Sequence, residues 1–176
     1  VEEEPGRSNH LHTGKKVYAE SWKGVFRHRA EYILRVQDRP DDEAAAVIAG
    51  LFGGGRSAKK GESGGARGCL RFSSSDVHVK GRASSTMQVA IDRISGGTLR
   101  NSDDLPGAGS LFCVHYLPFG STLTLQISSE RPLNPAEKEL LDYVVRDLKD
   151  GVIGIGGMTT RGFGTVAGAV EQENWR

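Results

Sequence analysis

Eleven residues near the C-terminal end, Gly154-Ile-Gly-Gly-Met-Thr-Thr-Arg-Gly-Phe-Gly164, are the most distinctive run in the chain. Five glycines let the backbone approach a ligand closely. Thr159, Thr160 and Arg161 add hydroxyl and guanidinium donors, and Met158 and Phe163 could lie against a base or the core. Gly156, Gly157 and Gly162 complete the candidate contacts. The run lacks the Lys-Ser/Thr ending of a nucleoside-triphosphate loop and follows a predicted helix and short strand, which argues against an ATPase. A plain hairpin turn is the simpler alternative.

The second chemical signal is Ser21-Trp-Lys-Gly-Val-Phe-Arg-His-Arg29, in which Lys23 and Arg27 stand four apart on one helix face. Like charges at that spacing cost roughly 0.2–0.5 kcal/mol, and cations near a helix N-terminus oppose its dipole. A phosphate held between them, by both side chains and by free first-turn amides, would explain the arrangement. Two exposed cations relieved by Glu31 are the alternative.

These segments need elements to hold them. Ser21–Arg35 is predicted helical, with Ser21 as cap and Trp22, Val25, Phe26, Ala30, Ile33 and Leu34 as an apolar stripe. Asp41–Gly50 reads as a short helix, and the seven glycines of Gly53–Gly68 as a flexible loop. Cys69–Lys80, Met87–Ile94, Ser110–Leu117 and Ser121–Ser128 are strand-like, the second and third separated by a long polar loop. Asn134 and Pro135 open a helix with Leu140, Leu141, Val144, Val145 and Leu148 on one face and Gly151 as its stop. Val152–Ile155 and Gly164–Val170 are predicted as short strands around the glycine-rich run. The pattern is α+β and matches β-α-β-β-α-β from the first helix onward. Residues 1–20 contain little that could form a central strand, so the first strand is expected from upstream residues outside this sequence or from a neighbouring chain.

At 176 residues the chain is expected to form one domain over 1–176. Hydrophobic content of 37% with 26% charged residues is ordinary for a soluble protein, and no apolar run approaches the roughly 18 residues of a membrane span. The start, Val-Glu-Glu-Glu-Pro, has no signal-peptide profile, so a cytoplasmic location is expected; without an initiator Met it suggests a fragment, a processed chain or part of a fusion. Cys69 and Cys113 have no Cys or His at metal spacing, and read as two reduced thiols. The net charge of +1 hides a separation of sign: residues 15–35 carry net +4 and 54–82 net +5, whereas 130–150 carry −2. Such a chain could turn a positive face to a polyanion and other faces to protein neighbours.

Three segments in fixed order, Ser-Trp-Lys-Gly-Val-Phe-Arg at 21–27, Ile-Asp-Arg-Ile-Ser-Gly-Gly at 91–97 and the run 154–164, resemble the RAMP superfamily, specifically the backbone subunits of type III CRISPR effector complexes. Leu51-Phe52-Gly53, Leu111-Phe112 and Phe119-Gly120-Ser121 fit as well. The resemblance implies a modified ferredoxin-like (RRM-like) domain stacking along guide RNA (crRNA), with a protruding thumb hairpin at about 87–112. It also implies RNA contacts from Ser21, Lys23, Arg27, Arg93 and Gly156–Gly162, and partners among guide RNA, target RNA and neighbouring effector subunits or fused RAMP domains, in antiviral defence. Active members cut target RNA with a metal-dependent site built on an upstream aspartate. This sequence has no aspartate before Asp38, and near the expected place only Glu2, Glu3, Glu4 and, beside the helix, Glu20, so no catalytic residue is assigned and Mg2+ enters only if cleavage occurs. Asp92, Asp103 and Asp104 fall in the expected thumb, where turn chemistry accounts for them.

Two other readings remain open. Guide-RNA-processing endoribonucleases of the same superfamily use histidine as general acid or base, which would draw on His10, His12 or His28; His78 and His115 read as structural. A ferredoxin-like interaction module with no nucleic-acid role is the third.

Overall fold

The computed structural model describes residues 16–54, 67–89, 91, 93–94, 96–97 and 111–168. The elements run β1 (Lys16–Val17), α1 (Ala19–Val36), α2 (Asp41–Phe52), β2 (Leu70–Phe72), β3 (Ser75–His78), β4 (Ser84–Val89), β5 (Leu111–Tyr116), β6 (Thr122–Leu123), β7 (Ile127–Ser129) and α3 (Pro135–Lys149), followed by a 3-10 turn, Thr159–Arg161. Two compact units divide them: Lys16–Asp76 joins Leu123 onward in the larger, and Val77–Thr122 forms the smaller. The chain leaves the larger unit along β3 and returns along β6.

In the larger unit α1 forms because its apolar residues recur every fourth position: Trp22, Phe26, Ala30 and Leu34 are all buried. They meet Ile48, Leu51 and Phe52 of α2, Leu70 of β2, and Leu140, Leu141 and Val144 of α3 in one core. Fully burying a large apolar side chain contributes about 1.5–3 kcal/mol, so this cluster dominates the unit's stability. Phe72 ties three elements together, edge-on to Phe26 with ring centres 5.2 Å apart and stacked on Phe52 at 6.3 Å. The Trp22 indole N–H donates to the buried Ser75 Oγ at 3.0 Å, which spares the roughly 1–3 kcal/mol an unmet buried donor would cost.

α3 begins with a complete capping box: the Glu137 amide donates to Asn134 Oδ1 at 2.9 Å and the Asn134 amide to Glu137 Oε2 at 3.0 Å. Pro135 sits in the first turn as expected. Glu137 is also gripped by both terminal nitrogens of Arg131, at 2.6 and 2.9 Å. The Arg131 bond, then the Asn134 amide, hold its carboxyl below the usual carboxylate range against the opposing effect of burial.

Several expectations are corrected. α1 starts at Ala19 with Tyr18 as cap and no side-chain capping bond, so Ser21 lies inside the helix and caps nothing. Trp22 must reach the core and Val17 must pair with β3, which sets the helix start two residues earlier. Lys16 and Val17 pair antiparallel with Asp76 and Ser75 as a two-residue strand at the edge of the β1–β3–β6 sheet, not as a central strand. Cys69–Lys80 is two strands, because Ser73 exchanges hydrogen bonds with Gln126 and Ser74 Oγ accepts from the Ala19 amide. Ser121–Ser128 likewise divides into β6 and β7, although Leu123, Leu125 and Ile127 all pack on the core as the alternation required. α2 runs to Phe52 and ends at Gly53 rather than Gly50.

β2 pairs antiparallel with β7, Leu70 opposite Ser129 and Phe72 opposite Ile127. In the smaller unit β4 and β5 form an antiparallel ribbon, from Ser84 opposite Tyr116 to Val89 opposite Leu111. That ribbon is the stem of the expected hairpin. Most of its connecting loop lies outside the described residues, as does most of the expected loop 53–68. No helix among the described residues is long and apolar enough to cross a membrane.

Candidate nucleic-acid interface

The glycine-rich run lies in the larger unit, directly after α3. The helix ends at Lys149, the Val152 amide returns to the Asp147 carbonyl at 2.8 Å, and Ile153 and Ile155 pack on the common core. No strands form here: Gly154 and Thr165 meet in one isolated antiparallel bridge, and the Ile155 amide donates to the Gly164 carbonyl at 2.9 Å. Among the described residues the predicted strands at 152–155 and 164–170 are reduced to that bridge, and 169–170 lie outside them. Glycine is the reason, since Gly151, Gly156, Gly162 and Gly164 all have positive φ, which breaks a strand. Gly164 is required twice over: its φ is +70° and a Cβ there would run into the Ile155 carbonyl.

Above this base the chain turns outward. Met158 adopts a left-handed conformation, φ 57° and ψ 30°, and Thr159–Arg161 make one 3-10 turn closed by Gly162. The Arg161 amide donates to the Met158 carbonyl at 2.9 Å and that of Gly162 to Thr159 at 3.0 Å. Among the described residues no acceptor meets the amides of Gly156, Gly157, Thr159 or Thr160. Successive N–H groups around a left-handed residue form a concavity suited to an anionic oxygen. Gly156, Thr159, Thr160, Arg161 and Gly162 are exposed, whereas Gly157, Met158 and Phe163 are half-buried.

The α1 segment differs from expectation. Lys23 lies beyond the first turn, the Ala19 amide is already taken by Ser74 Oγ at 3.2 Å, and Glu20 puts a negative charge where the anion was expected. Arg27 is answered by the protein: its Nε pairs with Glu31 at 2.8 Å and one terminal nitrogen donates to the Gly53 carbonyl at 3.2 Å. At Arg27 a carboxylate and a carbonyl thus take the Nε and one terminal nitrogen. Among the described residues Lys23 has no ion pair, and its side chain is half-buried.

Arg29, two residues further on and so about 200° around the helix, turns the other way. It binds Asp147 of α3 at 2.6 Å and lies 4.8 Å from the centre of the Tyr32 ring. α1 is therefore flanked by Gly53, where the basic 54–82 segment begins, on one side, and by the helix leading into the glycine-rich turn on the other. Within that segment Arg71 and Arg67 converge on Glu130, whose carboxyl the Arg71 hydrogen bond holds below the usual range. Four of the cations counted in the two basic segments, Arg27, Arg29, Arg67 and Arg71, are thus paired with carboxylates of the protein. Ser21 is exposed on α1, and Arg93 is exposed in the smaller unit. Gly164 and the two isoleucines that anchor the turn are the contributors a charge-based reading missed; alternation of Ile and Gly at 153–156 was their signal.

No group of three or more His, Cys, Asp or Glu side chains is placed to hold a metal among the described residues, and Glu2, Glu3 and Glu4 lie outside them.

Comparison with known proteins gives the frame. A family model of the RAMP superfamily matches residues 2–167. No curated protein matches this sequence. Among solved structures, a chain of a "Type IV-B CRISPR Complex" is similar with a TM-score of 0.55 at 16% identity, covering 90% of this chain and 78% of that one. A chain of a "CRISPR RNA-guided surveillance complex", 17% identical, aligns over 86% of this chain and 53% of its own length with a TM-score of 0.46. The first of these likenesses supports the ferredoxin-like α+β fold. Matched by the family model across nearly its whole length, the chain belongs to the RAMP superfamily.

Proposed function

We propose that this protein is a guide-RNA-holding backbone subunit of a type III CRISPR ribonucleoprotein, positioning complementary target RNA in antiviral defence. The observation that carries the reading is the glycine-rich turn. Amides at Gly156, Gly157, Thr159 and Thr160 that meet no acceptor among the described residues sit beside exposed hydroxyl and guanidinium donors, on a base fixed to the core by Ile153 and Ile155. That is a site for phosphate oxygens, which hold a strand whatever its sequence. Membership of the RAMP superfamily and the likeness to a chain of a CRISPR complex support the ribonucleoprotein setting. The type III assignment rests on the three ordered motifs. The two units are read as one domain, with 87–112 as the thumb and Arg93 as a further RNA contact on it. Neighbouring effector subunits, or RAMP domains fused to this one, are its protein partners, and its compartment is the cytoplasm.

Single-stranded RNA binding should weaken with salt at a log-log slope of about −0.7 per phosphate, so roughly four contacts predict a slope near −3. A flat response would favour a protein-only interaction module. Cutting of repeat RNA in the presence of a chelator would instead favour the metal-independent processing nuclease.

A further inference from the structure

Phe119 has no part in the site just described. It belongs to the smaller unit, at the second position of a tight turn, Pro118–Ser121, in which the Ser121 amide and hydroxyl both donate to the Pro118 carbonyl, at 3.2 and 2.8 Å. Gly120 takes the third position with φ +85°, as a type II turn requires. Turn corners ordinarily carry small polar residues. Here the corner carries an aromatic ring whose whole surface meets water, at a relative exposure of 103%. Among the described residues no ring and no cation lies against it.

A cation is held beside the same turn. The Lys80 amide donates to Ser121 Oγ at 3.2 Å, and its side chain lies across Gly120, so that a Cβ there would come within 2.9 Å of Lys80 Cδ and 3.4 Å of its Nζ. Arg82 follows, exposed. The described residues of this unit include Lys80, Arg82 and Arg93 and no acid; the three aspartates of 77–122 fall at 92, 103 and 104. The exposed apolar residues of the β4–β5 ribbon, Met87 and Val89, lie three and five positions along β4 from Ser84. Ser84 pairs with Tyr116 at the end nearest the turn, and Val89 stands five residues along, roughly 17 Å away. A protein partner would be met by a continuous apolar patch. A lone flat ring with a lysine fixed at its side matches instead one nucleotide, the base on the ring and its phosphate at the ammonium.

We infer that Phe119 is a stacking platform for an unpaired nucleobase of single-stranded RNA, and that Lys80 takes the adjoining phosphate. The inference rests on the RNA-holding function proposed above and adds a contact remote in sequence from the glycine-rich turn. The test measures the full chain's affinity for single-stranded RNA and for the same strand with abasic riboses. Phe119→Ala should weaken binding of the base-bearing strand about tenfold, Phe119→Trp should retain it, and neither should change the affinity for the abasic strand. Lys80→Ala should shrink the salt slope by about 0.7. Because no contact to the ring is found among the described residues, the thermal midpoint of Phe119→Ala should equal that of wild type. If wild type binds RNA and Phe119→Ala binds the base-bearing strand as tightly as wild type does, the stacking inference fails while the RNA-holding function stands. Loss of assembly with unchanged RNA affinity would make Phe119 a protein contact and overturn the inference. No RNA binding by wild type would remove both.

Discussion

α1 and the glycine-rich turn both offered positive character to a polyanion, but the fold treats them differently. On α1 the guanidinium groups are consumed internally: Arg27 by Glu31 and the Gly53 carbonyl, Arg29 by Asp147. In the turn the donors are backbone amides that no protein acceptor reaches among the described residues. Side chains on a helix can swing to the nearest carboxylate, and burial of the helix face brings carboxylates close. Amides in a glycine-bent turn cannot swing, so their direction is fixed before any ligand arrives and little ordering entropy opposes binding. Formal charge thus counts cations that the protein has already paired, whereas the bent backbone of the turn leaves amides that no described acceptor meets.

The largest effect expected from disturbing an internally answered cation is at Glu137. Its carboxylate, 3% exposed, receives Arg131 twice and the Asn134 amide once. Glu137→Ala should cost about 2 kcal/mol of stability in urea denaturation, by removing its hydrogen bonds to the half-exposed Arg131 and opening the α3 cap, with RNA affinity per folded molecule unchanged. The pH dependence has a definite sign. The folded carboxyl titrates below its unfolded value of about 4.3, so its contribution is complete above that value and is lost as pH falls through the lowered folded value. The denaturation midpoint should lose an acid-limb component below about pH 4.3, and Glu137→Gln should flatten that component. A change in RNA affinity in either variant would mean that internally paired cations also serve the ligand.

Next in size is a pair of glycines within the turn. At Gly164 an added methyl meets the Ile155 carbonyl and φ is +70°, whereas at Gly156 the space is open and only the φ of +99° is unfavourable. Gly164→Ala should therefore displace the turn from its base and lower RNA affinity at least tenfold in a filter-binding assay, about 1.4 kcal/mol. Gly156→Ala should cost about 1 kcal/mol of stability and less than threefold in affinity, because its amide stays in place. Equal losses in the two variants would show that the turn's shape does not aim the donors.

How much of this was legible follows from what each signal measures. The stripe Trp22, Phe26, Ala30, Leu34 and the Asn134–Glu137 capping box act through neighbours three and four residues away, so periodicity alone located α1 and α3. The start of α1 was misplaced because Ser21 has the right chemistry for a cap, but long-range demands, Trp22 to Ser75 and Val17 to β3, outweigh that local preference. The breaks at Ser73–Ser74 and at Thr124–Gln126 depend on hydrogen bonds spanning more than fifty residues, which no local pattern records. At the site, the glycine spacing did point to the turn. Glu31, four residues on, was legible as a partner of Arg27, but the others lay elsewhere: Asp147 is 118 positions from Arg29, and Gly53 offers only a carbonyl.

The smallest expected effect, and the sharpest division, is between two cations one helical turn apart. Lys23 has no ion pair among the described residues, while Arg27 joins α1 to Gly53 at the end of α2. Lys23→Ala should leave stability within about 0.5 kcal/mol of wild type, weaken RNA binding two- to threefold and reduce the salt slope by about 0.7, the mark of one lost phosphate contact. Arg27→Ala should lower stability by about 0.5–1 kcal/mol through the lost ion pair and carbonyl bond, with a smaller change in RNA affinity than Lys23→Ala. Lys149→Ala, in the last turn of α3, provides the baseline for a surface cation with neither role. Were Arg27→Ala to weaken RNA binding as much as Lys23→Ala, the Glu31 pair would have to open when RNA arrives. The helix would then join the turn as a donor surface, and the contrast between swinging side chains and fixed amides would collapse.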